Sequence, residues 1–298
     1  MSDHLRSLGY QVMGWGRHGL ENGKDVTAGS ICDPVAVTAA LQQWKPDEIY
    51  HFAAHHHSSE QTREDDLHLF QRCLEVNLMS LVHVLHAVKQ YSPLTRVFYA
   101  ASSRIFGAHA PVIASEETPV TPTCPYGITK AAGLHACQHY RRQHALHVSV
   151  GILFNHESAL RPAHYLSKKI VQAVIDIRRG AKGGLSLGSL TAGADWGYAP
   201  DTITKIHQMM QLPAGHDFII ATGEGHTVEE FASLAFAQVG LNWRDHVHVD
   251  TCLVKEVRPI LIGDPARFRQ ACGSGHDRSF QELIRQLIID AGGTEFLI

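Results

Sequence analysis

The chain has 298 residues, 44% hydrophobic and 18% charged, with 26 Lys and Arg against 29 Asp and Glu and a formal net charge of −3. That length suffices for a sizeable core in one or two domains, and the charge balance leaves no basic excess for nucleic-acid phosphates or an anionic membrane. No apolar run approaches the roughly 18 residues of a membrane span and no signal-peptide pattern opens the chain, while six scattered cysteines without a CxxC pair read as reduced thiols of a cytoplasmic protein.

Residues 2–8 read as the tail of a helix capped by Gly9, and residues 10–14 as a strand ending in glycine, with Arg17 just beyond. Asp33 before Pro34 is an N-cap with proline at the first helical position, opening a helix that runs to about Trp44. "DEIYHFAA" (47–54) is a short apolar strand, 66–91 has helical spacing of Leu, Val and Ile, and "RVFYAAS" (96–102) is a strand. "PYGITKAAGLHACQHYRRQ" (125–143) is helical, and "HVSVGILF" (147–154) is a β-branched strand. Apolar strands alternating with helices predict an α/β fold, a doubly wound parallel sheet covered on both faces. After residue 155 the pattern loosens into a smaller C-terminal lobe, where Thr227 and Glu230 form a capping box opening a helix over 228–239.

The chemistry-bearing stretch is "SSRIFG" (102–107) followed by "PYGITK" (125–130). Tyr126 and Lys130 are four residues apart and share one helical face. A nearby ammonium favours tyrosinate and is expected to lower the phenol pKa, while Ser102 or Ser103 hydrogen-bonds the reacting oxygen. Such a trio moves a proton while hydride passes to or from nicotinamide. Tyr-x-x-x-Lys is short enough to arise by chance; its place after a serine-bearing strand of an alternating α/β pattern is what gives it weight. The 22 histidines include His55, His56 and His57 in a row and His135 with His139 at helical spacing. No HExxH motif, paired cysteine or nearby carboxylate completes a ligand set, so no metal site is expected and the histidines read as solvated. Asn77 reads as a structural hydrogen-bonding residue on the long helix.

These stretches, together with "GYQVMGWGR", "GILFNHES", "SKKI", "LGSLTAGADWGYAPD", "ATGEGHTVEEF" and "GDP", resemble the GDP-mannose 4,6-dehydratase family of the extended short-chain dehydrogenase/reductase superfamily, in family order over nearly the whole chain. The resemblance implies a Rossmann-like nucleotide-binding body (1–154 and 185–222) and a substrate lobe (155–184 and 223–298). It implies a reaction cycle on a GDP-sugar, in which C4 is oxidised by NADP⁺, a base removes the C5 proton, the C6 hydroxyl leaves and hydride returns to C6. In that cycle Ser102 orients the C4 oxygen, Tyr126 is the base and Lys130 tunes it and touches the nicotinamide ribose. Arg17 meets the 2′-phosphate, which favours NADP over NAD, and Ala53 and Ala54 lie where a loop runs over the cofactor. Asn155 and Glu157 belong to the sugar-nucleotide motif, Lys169 stands at a diphosphate position, and Arg258 is a candidate diphosphate or guanosine contact. Relatives associate through long helices, here 66–91 and 125–143, so a homo-dimer or homo-tetramer is expected.

Three departures qualify that expectation. The family has a strand and a Gly-rich phosphate turn before the helix that ends at Gly9, and neither is found here. Losing that central strand would leave neighbouring strands with unmet backbone groups at about 1–3 kcal/mol each, so the expectation is a truncated or wrongly assigned start, or another segment in the gap. Arg104 stands where the family has a Glu that handles the C5 proton, and a guanidinium with pKa above about 12 is neither that base nor a useful acid; Glu157 is the nearest replacement in the motif. Ala194 replaces a diphosphate-gripping Arg and Ser189 an Asn. Three readings follow: a dehydratase-like protein impaired in elimination, an NADP-dependent GDP-keto-sugar reductase or epimerase, and a non-catalytic member that partners or regulates another subunit.

Overall fold

The computed structural model describes residues 1–16, 26–56, 65–253, 259–273 and 277–298. Its first half comprises α1 (Ser2–Ser7), β1 (Gly14–Gly16), β2 (Val26–Ala28), α2 (Pro34–Trp44), β3 (Glu48–His51), α3 (Asp66–Cys73), α4 (Ser80–Tyr91), β4 (Arg96–Ser102), β5 (Ile113–Ala114), α5 (Pro125–His144) and β6 (Val148–Leu153). There follow β7 (Asn155–Glu157), α6 (Leu166–Arg178), β8 (Leu185–Leu187), β9 (Gly193–Ala194), β10 (Trp196–Tyr198), α7 (Ala199–Met210), β11 (Asp217–Ile220), β12 (His226–Thr227), α8 (Val228–Ala237), β13 (Val247–Val249), β14 (Ile262–Gly263), α9 (Ala266–Cys272) and α10 (Phe280–Asp290).

The central sheet is parallel, in the order β11-β6-β4-β3, while β1 and β2 form a separate parallel pair. β4 shows why the sheet is covered on both faces. Val97, Tyr99 and Ala101 pack into one core with Val37 and Leu41 of α2, Leu81 and Leu85 of α4 and Leu134 of α5. Phe98 and Ala100, alternating with them, face a second core with Met209 and Met210 of α7 and Phe268 of α9. A third core, built on Ile170, Val174, Phe231, Phe236, Leu283 and Ile288, joins α6, α8 and α10.

Local capping sets several helix ends as the sequence predicts. Asp33 accepts from the N–H groups of Val35 and Ala36, and Thr227 with Glu230 closes a reciprocal capping box. The predicted strand over 10–14 is displaced to Gly14–Gly16, and the backbone before it is engaged elsewhere: the Tyr10 N–H donates to the Leu5 carbonyl at 3.1 Å, and Arg6 donates to the Val12 carbonyl. The helical run predicted for 66–91 is interrupted by a π-helical turn, Leu74–Met79, between α3 and α4.

Candidate active site

β4 delivers Ser102 to the carboxyl edge of the sheet, where its hydroxyl accepts from the Arg104 N–H at 3.3 Å and caps the 3₁₀ turn Ser103–Phe106. Cys124 caps α5, its sulfur accepting from the Gly127 N–H, with Pro125 in the first turn. A Cβ on Gly127 would lie 2.6 Å from the Arg104 carbonyl oxygen, so glycine lets the start of α5 press against that turn. The Lys130 side chain is 1% exposed, and Nζ donates to the Ala100 carbonyl at 2.7 Å. Nζ is 4.9 Å from the Tyr99 ring centroid and 5.8 Å from that of Tyr126.

Burial pushes the Lys130 amine down to about 7, opposed by Cys137 and Cys73. Tyr126 corrects the expectation of a lowered phenol: burial raises its pKa above the ordinary value, and a hydrogen bond with Ser102 pulls the other way. The desolvation of a phenolate outweighs what its neighbours return. The His56 ring meets Tyr126 edge-on at 4.8 Å.

The π turn supplies the support beneath this pair, a placement common for such bulges at functional sites. Asn77, on that turn, is fully buried; its side chain donates to Thr129 Oγ1 at 3.0 Å and to the His55 carbonyl at 3.2 Å, and accepts the His55 N–H at 2.6 Å. The Tyr99 hydroxyl donates to the Asn77 carbonyl at 3.2 Å. One amide thus ties α5 to the loop after β3, which carries half-buried Ala53 and exposed Ala54.

A cleft of about 180 Å³ opens past the end of β4, with a lining that includes Ser103, Arg104, Asn155, Ala194, Asp195 and Ile260 but not Ser102, Tyr126 or Lys130. Three predicted residues, Ser103, Arg104 and Asn155, therefore meet in one hollow. Arg104 is exposed, with Nη2 3.8 Å from the Cys124 sulfur. Glu157 stands apart: it is 4% exposed, hydrogen-bonded by Ser167 and paired with Arg161 Nε at 3.1 Å. Arg161 and Ser167 take up three of the roughly four acceptor sites of this buried carboxylate, and it does not line the cleft, which argues against it as the replacement for the elimination base. Lys169 is half-buried on α6 and does not line the cleft. Arg17 and Arg258, and with them His57, lie outside the described residues.

Asp195 is a residue that the sequence reading missed. It is 1% exposed and accepts from Thr222 N (3.0 Å), Thr222 Oγ1 (2.7 Å), Gly223 N (3.1 Å) and Gly263 N (3.2 Å). Burial raises its pKa while these hydrogen bonds oppose the rise. Its signal was present only as the Asp of "DWGYA", whose partners lie 27 to 68 residues away.

The residues present fit the nicotinamide end of a dinucleotide. Lys130 has three N–H donors and, among the described residues, one acceptor, so a ribose hydroxyl can take another. The pyrophosphate end is different. A Gly-rich turn opening a helix after the first strand normally meets that group, and among the described residues the sheet ends at β3 without one.

A parallel sheet wound on both faces, with a Tyr-x-x-x-Lys helix beside its carboxyl edge, defines the Rossmann-type fold of the extended short-chain dehydrogenases/reductases. Solved structures share that fold, among them UDP-glucose 4-epimerase from Thermotoga maritima with UDP-glucose (TM-score 0.81, 16% identity, 97% of this chain and 93% of that chain). Another is RMD from Pseudomonas aeruginosa complexed with NADPH (TM-score 0.78, 18% identity, 97% and 94%). Within that class, the chain belongs to the GDP-mannose 4,6 dehydratase family, which it matches over residues 15–287. It is 33% identical over 262 residues to GDP-mannose 4,6 dehydratase 2 of Arabidopsis thaliana, covering 84% of this chain and 68% of that protein. It is 30% identical over 292 residues to the Homo sapiens GDP-mannose 4,6 dehydratase, covering 90% and 76%.

Proposed function

We propose that the chain acts on a GDP-hexose in nucleotide-sugar metabolism, exchanging hydride at C4 through Tyr126 and Lys130, with the family's elimination step impaired by Arg104. The observation that carries this reading is the buried amine of Lys130, 5.8 Å from the Tyr126 ring centroid on the same helix and donating to the Ala100 carbonyl. A bound nicotinamide supplies the hydride-accepting chemistry. Ser102 and Tyr126 hold the C4 oxygen and move its proton, and Lys130 sets the charge beneath the phenol. Elimination then needs a base at C5. Arg104 cannot serve, Glu157 is paired, and Asp195, the carboxylate among the described cleft residues, is consumed by four hydrogen bonds.

One observation favours a GDP-keto-sugar reductase or epimerase as the second reading. Burial keeps Tyr126 protonated at neutral pH, which suits donation to a C4 carbonyl oxygen. On the resemblance, Arg17 favours NADP over NAD, Ala53 and Ala54 flank the cofactor, and Asn155, Lys169 and Arg258 meet the nucleotide. Glu157 serves that region through Arg161. The body of 1–154 with 185–222 would bind the cofactor and 155–184 with 223–298 the sugar. Exposed Leu67, Leu74 and Ile128, on or beside α3 and α5, support a homo-dimer or homo-tetramer. Scattered free cysteines support a cytoplasmic place, and no helix among the described residues is long and apolar enough to cross a membrane.

The test is product analysis with GDP-mannose and NADP⁺. The wild-type chain is expected to form little 4-keto-6-deoxy product, and Arg104→Glu to raise it at least tenfold, in line with about 10²–10⁴ for a positioned acid/base. Fast product formation by the wild type would contradict the impairment. Absence of any nicotinamide binding would leave the non-catalytic reading.

A further inference from the structure

We propose that Arg104 is a carboxylate receptor in the cleft, so that the preferred sugar nucleotide carries a carboxylate at C6: a GDP-hexuronate in place of a neutral GDP-hexose. On one point this rests on the reading under Proposed function, namely that Ser102 and Tyr126 hold the C4 oxygen.

The guanidinium of Arg104 is an unmatched charge in that cleft. The residue is exposed, and the only acceptor its side chain meets among the described residues is the Cys124 sulfur, 3.8 Å from Nη2. A thiol is a weak acceptor, so the planar fork of N–H donors is left to water. Cys124 also caps α5, a helix of 20 residues whose positive end favours an anion and disfavours a cation. Asp195 lines the same cleft, yet its carboxylate is engaged by Thr222, Gly223 and Gly263. An anion brought in by the ligand answers the charge that no residue of the cleft matches.

Backbone contacts decide which part of the ligand bears that anion. The Arg104 N–H donates to Ser102 Oγ at 3.3 Å, and a Cβ on Gly127 would lie 2.6 Å from the Arg104 carbonyl oxygen. Residue 104 is thus held between the turn that Ser102 caps and the first turn of the helix that carries Tyr126. In a hexopyranose C6 is joined to C4 through C5 alone, so a C4 oxygen held by Ser102 and Tyr126 brings C6 toward that turn. The diphosphate offers the same anion chemistry, but it hangs from C1, across the ring from C4. A guanidinium meets a carboxylate through two parallel N–H···O bonds, which a neutral hydroxymethyl group cannot match. A C6 carboxylate also has no hydroxyl to lose. Hydride exchange at C4 is then complete without the elimination base that Arg104 cannot supply.

The experiment titrates GDP-mannose, its C6-carboxylate analogue and GDP into the full chain and into Arg104→Gln, by calorimetry without added cofactor so that no turnover disturbs the heats. Position 104 is exposed, and a thermal melt of the variant checks that it is folded. The wild type is expected to bind the carboxylate analogue about tenfold more tightly than GDP-mannose, and Arg104→Gln to lose that preference. No preference in the wild type, or one that survives Arg104→Gln, would overturn the proposal. An equal loss of affinity for all three ligands in Arg104→Gln would also overturn it, by giving the guanidinium to the diphosphate. Absence of binding by every ligand would overturn it together with the nucleotide-sugar reading. Adding NADP⁺ then separates the two claims. Reduction of NADP⁺ by the preferred analogue supports both, whereas the preference without reduction keeps the carboxylate receptor and overturns hydride exchange at C4.

Discussion

His51 shows how one buried side chain sets a pH limit on the whole protein. It is 2% exposed, its Nε2 lies 2.9 Å from Ser80 Oγ, and burial, then the charge of Lys130, lowers its pKa to about 3. An unfolded histidine titrates near 6.5, so between about 6.5 and 3 the unfolded chain binds a proton that the folded chain does not. Stability therefore falls as pH falls through that window. His51→Gln keeps a partner for Ser80 and removes the titration. Its acid-unfolding midpoint, followed by circular dichroism, should move to lower pH; an unchanged midpoint would contradict the assignment. Lys130 works in a different window. Its amine, at about 7 in the folded chain against an ordinary 10.5, makes burial least favourable below pH 7 and progressively less costly as pH rises toward 10.5.

At the scale of elements, α5 is held by its closest approach. A Cβ on Gly133 would sit 2.3 Å from the Tyr99 hydroxyl, which is itself fixed on the Asn77 carbonyl. Gly133→Ala should therefore cost about 1–3 kcal/mol in urea unfolding, and it should lower any hydride exchange by shifting Lys130. A neutral result would show that α5 yields at no cost. The boundaries of β4 and α5 were legible in the sequence because local signals set them: a β-branched and aromatic run in one, proline in the first turn of the other. The π turn was not legible, since Leu74–Met79 carries ordinary helical spacing and its widening serves Asn77 contacts with His55 and Thr129. β1 was placed too early because Tyr10 and Val12 look like strand residues, yet their backbone groups bond to Leu5 and Arg6. The Tyr126–Lys130 pair could be read from spacing alone. The lock of Ser167 and Arg161 on Glu157, and the burial that raises Tyr126, needed the fold.

Across the whole molecule, Asp195 joins the sheet to the rest of the cleft. It lies between β9 and β10, and its carboxylate gathers the N–H groups after β11 and that of Gly263 on β14. Asp195→Ala would strand those neutral donors, and a loss of about 1–3 kcal/mol for each donor left buried without an acceptor is expected in thermal or urea unfolding. Asp195→Asn, which keeps one acceptor oxygen, should lose less. Equal losses would show that packing volume rather than hydrogen bonding matters there. The most direct measurement is single-turnover appearance of reduced nicotinamide when the chain, at saturating NADP⁺, meets GDP-mannose. A rise in the wild type, slowed at least a hundredfold in Tyr126→Phe, is the predicted result. No rise at all, or the same rate in both proteins, would contradict hydride exchange through Tyr126.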